Sequence, residues 1–132
     1  MGVDVDQHSG RILLVDDEQA VLDITQMILE HFGFTVVTAR GGGEALELFD
    51  AQAGQITAVI LDLTMPDMGG AEVFKRMRQR RADIPILLAS GYTVSAVPPE
   101  LAHQPKTGFL QKPYQASGLI GKVQELIDPQ KE

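Results

Sequence analysis

Ala58-Val59-Ile60-Leu61-Asp62-Leu63-Thr64-Met65-Pro66-Asp67-Met68-Gly69-Gly70 is the stretch on which the fold turns. A short apolar run, Val59 to Leu61, ends on the carboxylate of Asp62; Met65-Pro66 breaks the run, and Gly69-Gly70 opens the next helix. The run is too short for a helix and is stopped by a turn, so it reads as a buried strand. Asp62 then stands at the carboxyl end of a strand, the edge at which open α/β sheets bind their ligands. Asp is also a preferred turn residue, and capping of the following turn is the plain structural alternative.

Outward from this stretch the chain alternates. Arg11 to Val15 is a first apolar strand, followed at once by Asp16-Asp17-Glu18. Val21, Ile24, Ile28 and Phe32 recur at helical spacing, which predicts a helix that buries that face and stops at Gly33. Thr35 to Ala39 is β-branched and apolar, a second strand; Gly41-Gly42-Gly43 is a turn, and Glu44 to Asp50 a second helix. After the Asp62 loop, Ala71 to Arg81 places Val73, Phe74 and Met77 on one helix face. Lys75, Arg76, Arg78 and Arg80 fall mostly on the other, read as a solvated face near a helix C-terminus. Ile84 to Ala89 is a fourth strand with Pro85 at its start, where proline is tolerated. Pro98-Pro99 and Pro105 leave room only for a short helix, beginning at Pro99 or Glu100. Gly108 to Lys112 is a fifth strand ended by Pro113. Gln115 to Ile127 is a last helix with Leu119, Ile120, Val123, Leu126 and Ile127 on its apolar face.

Strand and helix alternate five times, and the strands are near-continuously apolar. That pattern predicts an α/β fold, a doubly wound five-stranded parallel sheet with helices on both faces. The 132 residues fit one domain, expected at 11–128, with a flexible lead-in at 1–10 and a polar tail at 129–132. Cysteine is absent, so neither disulfides nor thiol chemistry enter, which suits a reducing cytoplasm. The net charge of −7, from 18 acidic and 11 basic residues, argues against direct nucleic-acid binding. No apolar run approaches the roughly 20 residues of a membrane span, and the N-terminus lacks the features of a signal peptide.

In a parallel sheet all strand carboxyl ends reach one edge. Asp16 and Asp17 follow strand one, Asp62 strand three and Ser90 strand four, and Lys112 ends strand five. Crowded carboxylates repel one another unless a cation joins them, and hard oxygen ligands suit Mg²⁺, which binds through a few carboxylates together with phosphate oxygens. A lysine opposite them supplies a point charge for a phosphoryl oxygen, and a hydroxyl one more hydrogen bond. Such a set binds a phosphoryl group beside Mg²⁺; attack by a carboxylate on phosphorus would form an acyl phosphate. Each residue also has a plainer role: Asp16-Asp17 as a helix N-cap pair, and Lys112 as an exposed strand-end lysine.

With those residues in place, the chain resembles the receiver domain of bacterial two-component response regulators and hybrid sensor kinases. The resemblance covers residues 10–128 and rests on four pieces in order: Ile12 to Glu18, Val59 to Gly70, Leu87 to Gly91 and Phe109 to Pro113. It implies a flavodoxin-like sheet of strand order 2-1-3-4-5. It also implies that Asp62 is the phosphoacceptor, supplied by a phosphohistidine on a histidine kinase or histidine phosphotransfer protein. By the same resemblance Asp17, Asp62 and the backbone carbonyl of Thr64 hold Mg²⁺ directly, and Asp16 through water. Lys112 contacts the phosphoryl oxygen, Ser90 moves in to hydrogen-bond it, and Phe109 is the switch aromatic whose rotamer follows Ser90. The domain would catalyse its own phosphorylation and dephosphorylation, remain a monomer when unphosphorylated, and control a downstream protein target.

Ser90 stands where relatives often have Thr, and the hydroxyl survives; Phe109 stands where Tyr is frequent, and its ring cannot donate a hydrogen bond. The prolines near residues 98–105 put in doubt a dimer surface on that side. With no DNA-binding domain read after residue 128, output is expected through protein contact, or other domains have been removed. The runs Ser90 to Thr93 and Phe109 to Tyr114 are similar to receivers at the end of hybrid histidine kinases, with a free-standing regulator as the alternative. A haloacid-dehalogenase-type phosphohydrolase would want Asp where Thr64 stands. A flavodoxin-type FMN site would want a phosphate loop where Asp16-Asp17-Glu18 would repel phosphate. An unphosphorylated interaction module would be expected to lack an acidic or lysine position, and none is missing.

Overall fold

The computed structural model describes residues 10–52, 54–63, 69–91, 97, 101 and 103–127. Its strands are β1 (Arg11–Val15), β2 (Thr35–Ala39), β3 (Ile56–Asp62), β4 (Ile86–Ser90) and β5 (Thr107–Gln111). Its helices are α1 (Gln19–His31), α2 (Gly42–Ala51), α3 (Gly70–Arg80) and α4 (Ala116–Ile127). All pairings are parallel and the order is β2-β1-β3-β4-β5, as the resemblance implied. The expected short helix before the fifth strand falls largely on 98–100 and 102, outside the described residues.

Alternation along the strands builds two cores. Leu13, Val15, Val59, Leu61, Ile86 and Leu88 point to one face, where they pack with Ala45 and Phe49 of α2 and Val73, Phe74 and Met77 of α3. Ile12, Leu14, Ala58, Ile60, Leu87 and Leu110 point to the other, with Leu22 and Leu29 of α1 and Leu119, Ile120 and Val123 of α4. A central parallel strand is covered on both sides, and four of the five β1 residues and six of the seven in β3 are buried. That coverage is why their apolar runs show no period of two.

The first helix corrects the sequence reading. Its buried stripe is Leu22, Thr25 and Leu29, and Ile24 is 60% exposed. Of the expected face, Ile24 turns to solvent, Val21 is half-buried, and Ile28 and Phe32 flank the core. The helix stops as expected: Gly33 adopts φ 105°, the Phe34 amide donates to Leu29 O at 3.1 Å, and the Gly33 amide donates to Glu30 O at 3.1 Å. That pair of bonds with a left-handed residue is a Schellman closure.

Arg78 corrects a second expectation. Rather than lying on a solvated face, its guanidinium crosses to the start of β5. It donates to Pro105 O at 2.9 Å, Lys106 O at 3.0 Å and Thr107 Oγ1 at 2.9 Å, and also to Ile84 O. Its charged carbon sits 5.2 Å from the centre of the Phe74 ring. Burial is the main reason its pKa lies below the usual arginine value, opposed by the charge of Asp83.

Candidate functional site

The strand register brings the polar strand ends level. Val15 pairs with Leu61, Asp62 with Ala89, and Ser90 with Gln111. The backbone ladder continues just past the strands: Asp16 N donates to Ala39 O at 3.1 Å, Leu63 N to Ala89 O at 2.9 Å, and Lys112 N to Ser90 O at 2.7 Å. Asp16, Asp17, Asp62, Ser90 and Lys112 therefore share one edge. Asp16, Asp62 and Ser90 are buried at 3%, 1% and 2% exposure, and Asp17 is half-buried.

The N-cap alternative for the Asp16-Asp17 pair does not hold. Glu18 occupies the cap position of α1 and makes no side-chain cap bond. Asp16 instead turns the chain: its Oδ1 accepts the Glu18 amide at 2.9 Å, an Asx-type turn, which leaves Oδ2 to face Lys112 Nζ at 2.9 Å. Lys112 Nζ also lies 3.5 Å from Asp62 Oδ2. The lysine is thus no free strand-end cation. Burial alone would lower its pKa, but the bond to Asp16 and the charges of Asp62, Asp16 and Glu18 outweigh it, and the net direction is upward.

One carboxylate oxygen from each of Asp16, Asp17 and Asp62 lies within 4.8 Å of the others. The formal charge of the three acids and the one lysine is −3 + 1 = −2. Two of the three acids are buried, where uncompensated charge is costly. Hard oxygens at this spacing, with a negative excess and one acid open to solvent, fit a small hydrated divalent cation such as Mg²⁺. Thr64, expected to lend a carbonyl, lies outside the described residues. Phe109 is half-buried in β5 opposite Leu88 and packs on the α2–α3 side of the sheet.

Three features escaped the sequence reading. A Cβ on Gly70 would meet Asp62 O and Leu63 Cα at 2.5 Å each, so the start of α3 lies directly against the end of β3. Gly69-Gly70 after Met65-Pro66 was the only signal of that close approach. A largely apolar groove of about 450 Å³ runs between α1 and the segment after β5, lined by Val21, Ile24, Thr25, Lys112, Pro113 and Tyr114. Across it Thr25 Oγ1 and Tyr114 Oη are hydrogen-bonded at 3.0 Å, a pairing 89 residues apart that no local pattern signals. Burial holds the Tyr114 phenol above its usual pKa, partly offset by the Thr25 bond.

The model of the response regulator receiver domain family matches residues 12–124. Sensor kinase CckA of Brucella abortus is 35% identical over 122 residues, which is 92% of this chain and 13% of the kinase. The crystal structure of the receiver domain from hybrid histidine kinase CckA superposes with a TM-score of 0.77 at 31% identity, over 90% of this chain and 100% of that one. Response regulator TrrA from Thermotoga maritima, solved in complex with Mg(2+)-BeF, gives 0.77 at 32% identity, over 89% and 98% of the two chains.

Proposed function

The chain belongs to the response regulator receiver family of two-component signalling, and from that premise we propose that Asp62 accepts a phosphoryl group from a phosphohistidine. A carboxylate oxygen of Asp62 attacks phosphorus, the P–N bond breaks, and the imidazole nitrogen keeps the electron pair. The reading is carried by one observation: Asp62 is 1% exposed at a strand end with an ammonium 3.5 Å from its Oδ2. Lys112 holds Asp62 in place before transfer and turns its charge to a phosphoryl oxygen afterward. The Ser90 hydroxyl, at the end of the neighbouring strand, donates to another. Asp17 and Asp62 would hold Mg²⁺ directly, with the Thr64 carbonyl as the family resemblance implies, and Asp16 would hold it through water. When bound there, Mg²⁺ would supply positive charge against the repulsion between the acids and the phosphoryl oxygens. TrrA, similar over most of this chain, is known with Mg(2+)-BeF, which supports the same ligand class here.

Phosphorylation biases two conformations through Ser90 and Phe109, and a downstream protein reads the change. The phosphodonor is a histidine kinase or phosphotransfer protein that covers α1, whose Ile24 and Met27 are 60% and 67% exposed and whose Ile24 lines the groove at Lys112. The domain, bounded at 11–128, acts in the cytoplasm; among the described residues no helix is long and apolar enough to cross a membrane. The similarity to CckA favours the receiver of a hybrid kinase over a free-standing regulator.

The test is an intact mass after incubation with Mg²⁺ and acetyl phosphate. Wild type should gain one phosphoryl group and Asp62→Asn none. No gain in wild type, together with no response to beryllofluoride and Mg²⁺, would overturn the assignment.

A further inference from the structure

Asp16 and Asp62 hold the Lys112 ammonium, but the backbone that presents it needs a second anchor. Its backbone is tied on one side, where its amide donates to Ser90 O at 2.7 Å. On the other side lies the groove of about 450 Å³, which gives the segment after β5 room to shift. The lysine side chain is itself a flexible stem that carries no preset geometry. Tyr114, two residues on, is the first side chain after Lys112 to reach the core, packing against the cluster of Ile12, Leu14 and Leu22. Its hydroxyl bonds Thr25, which is only 1% exposed in the middle of α1.

Thr25 is an unusual residue for that place. A buried hydroxyl inside a helix commonly bonds its own preceding turn, and here it pairs across the fold with a side chain 89 residues away. Apolar side chains would pack the two elements together equally well. The hydroxyl pair adds direction: it fixes the ring of Tyr114 along α1 and with it the path of Lys112 and Pro113.

From this geometry we infer that Tyr114, held by Thr25, is a positioning residue that sets the Lys112 ammonium for phosphoryl acceptance. The inference rests on the reading of Asp62 as acceptor. It also makes α1 a coupling element, since whatever leans on its exposed Ile24 bears on the helix that holds Tyr114. Lysine charge acts on the transferring group, so a displaced lysine slows the transfer more than it weakens capture of the donor.

The test measures phosphorylation by acetyl phosphate with Mg²⁺ in wild type, Tyr114→Phe, Thr25→Val, Thr25→Ser and the Tyr114→Phe/Thr25→Val double variant, with urea unfolding of each. Tyr114→Phe and Thr25→Val should each lower the maximal rate roughly threefold to tenfold, the scale of one hydrogen bond. The half-saturating acetyl phosphate concentration should stay within about twofold of wild type, inside the spread of independent effects. The double variant should be no slower than the slower single, because both changes remove the same bond, and Thr25→Ser should restore the rate. Unchanged maximal rates beside a phosphorylated wild type, with stability lowered or not, would overturn the inference and leave Asp62 as acceptor. Multiplicative losses in the double variant would overturn it too. A wild type that takes no phosphoryl group would remove the reading of Asp62 and this inference together.

Discussion

At the amino-terminal edge of the sheet, Arg78 and Arg81 donate to backbone carbonyls; at the carboxyl-terminal edge, three carboxylates face a single ammonium. Arg78 caps Ile84, Pro105 and Lys106, and Arg81 Nη1 reaches Ile56 O at 2.9 Å. Arg11 adds Gln52 Oε1 at 2.6 Å and Gln55 Oε1 at 2.8 Å. These cations find neutral partners within the chain. The acids at the other edge keep a formal charge of −2 after Lys112 is counted, which calls for something from outside. Charge that is satisfied internally holds the fold, and charge left in excess at the opposite edge marks where the fold acts.

The largest expected effect tests the holding edge. Arg78→Ala removes bonds to three carbonyls and a hydroxyl together with the contact to Phe74, and should destabilise the domain by about 3 kcal/mol in urea unfolding. Mg²⁺ affinity should stay within twofold of wild type; a large loss of affinity would mean that the two edges are not separable. Gly70→Ala should breach the separation from the other side. The added methyl meets backbone at Asp62 and Leu63, so it should cost about 2 kcal/mol of stability and weaken Mg²⁺ binding as well.

Asp17→Asn should do the opposite to the two properties. It removes one of three clustered acids while leaving Lys112 its partners Asp16 and Asp62. Mg²⁺ affinity by calorimetric titration should fall about tenfold, equal to ~1.4 kcal/mol. The metal-free protein should at the same time melt slightly higher as repulsion is relieved. A lower melting point would show that the negative excess is compensated within the chain. The smallest effect is expected at Arg80, whose pair with Asp50 at 2.6 Å joins side chains 37% and 52% exposed. Arg80→Ala should change stability by no more than about 0.5 kcal/mol, and only at low salt.

The contrast between the edges also explains what could be read from the chain alone. The strands were legible because doubly covered strands are continuous apolar runs, and the acids were legible because each follows such a run directly. Arg78 was not, because its acceptors lie between residues 84 and 107, and a basic run on a helix looks the same whether it meets water or carbonyls. The buried stripe of α1 is hidden in the sequence for a related reason. Apolar spacing favoured Ile24, whereas the buried stripe contains Thr25, whose hydroxyl is satisfied by Tyr114. The sheet order came with the family resemblance, not from periodicity, which does not rank neighbouring strands.

The parallel register has a last consequence, for dissection. The acidic cluster and its lysine are drawn from positions 16, 17, 62 and 112, and only the in-register ends of β1, β3, β4 and β5 bring them within reach of one another. A synthetic peptide spanning Asp62 and its loop would own the proposed nucleophile and neither the other acids nor the lysine around it. Splitting the polypeptide between β3 and β4 would part the acids from the lysine. Chemical competence is therefore a property of the whole cooperative unit: it vanishes with the first global opening of the sheet and returns only when the last strand is seated.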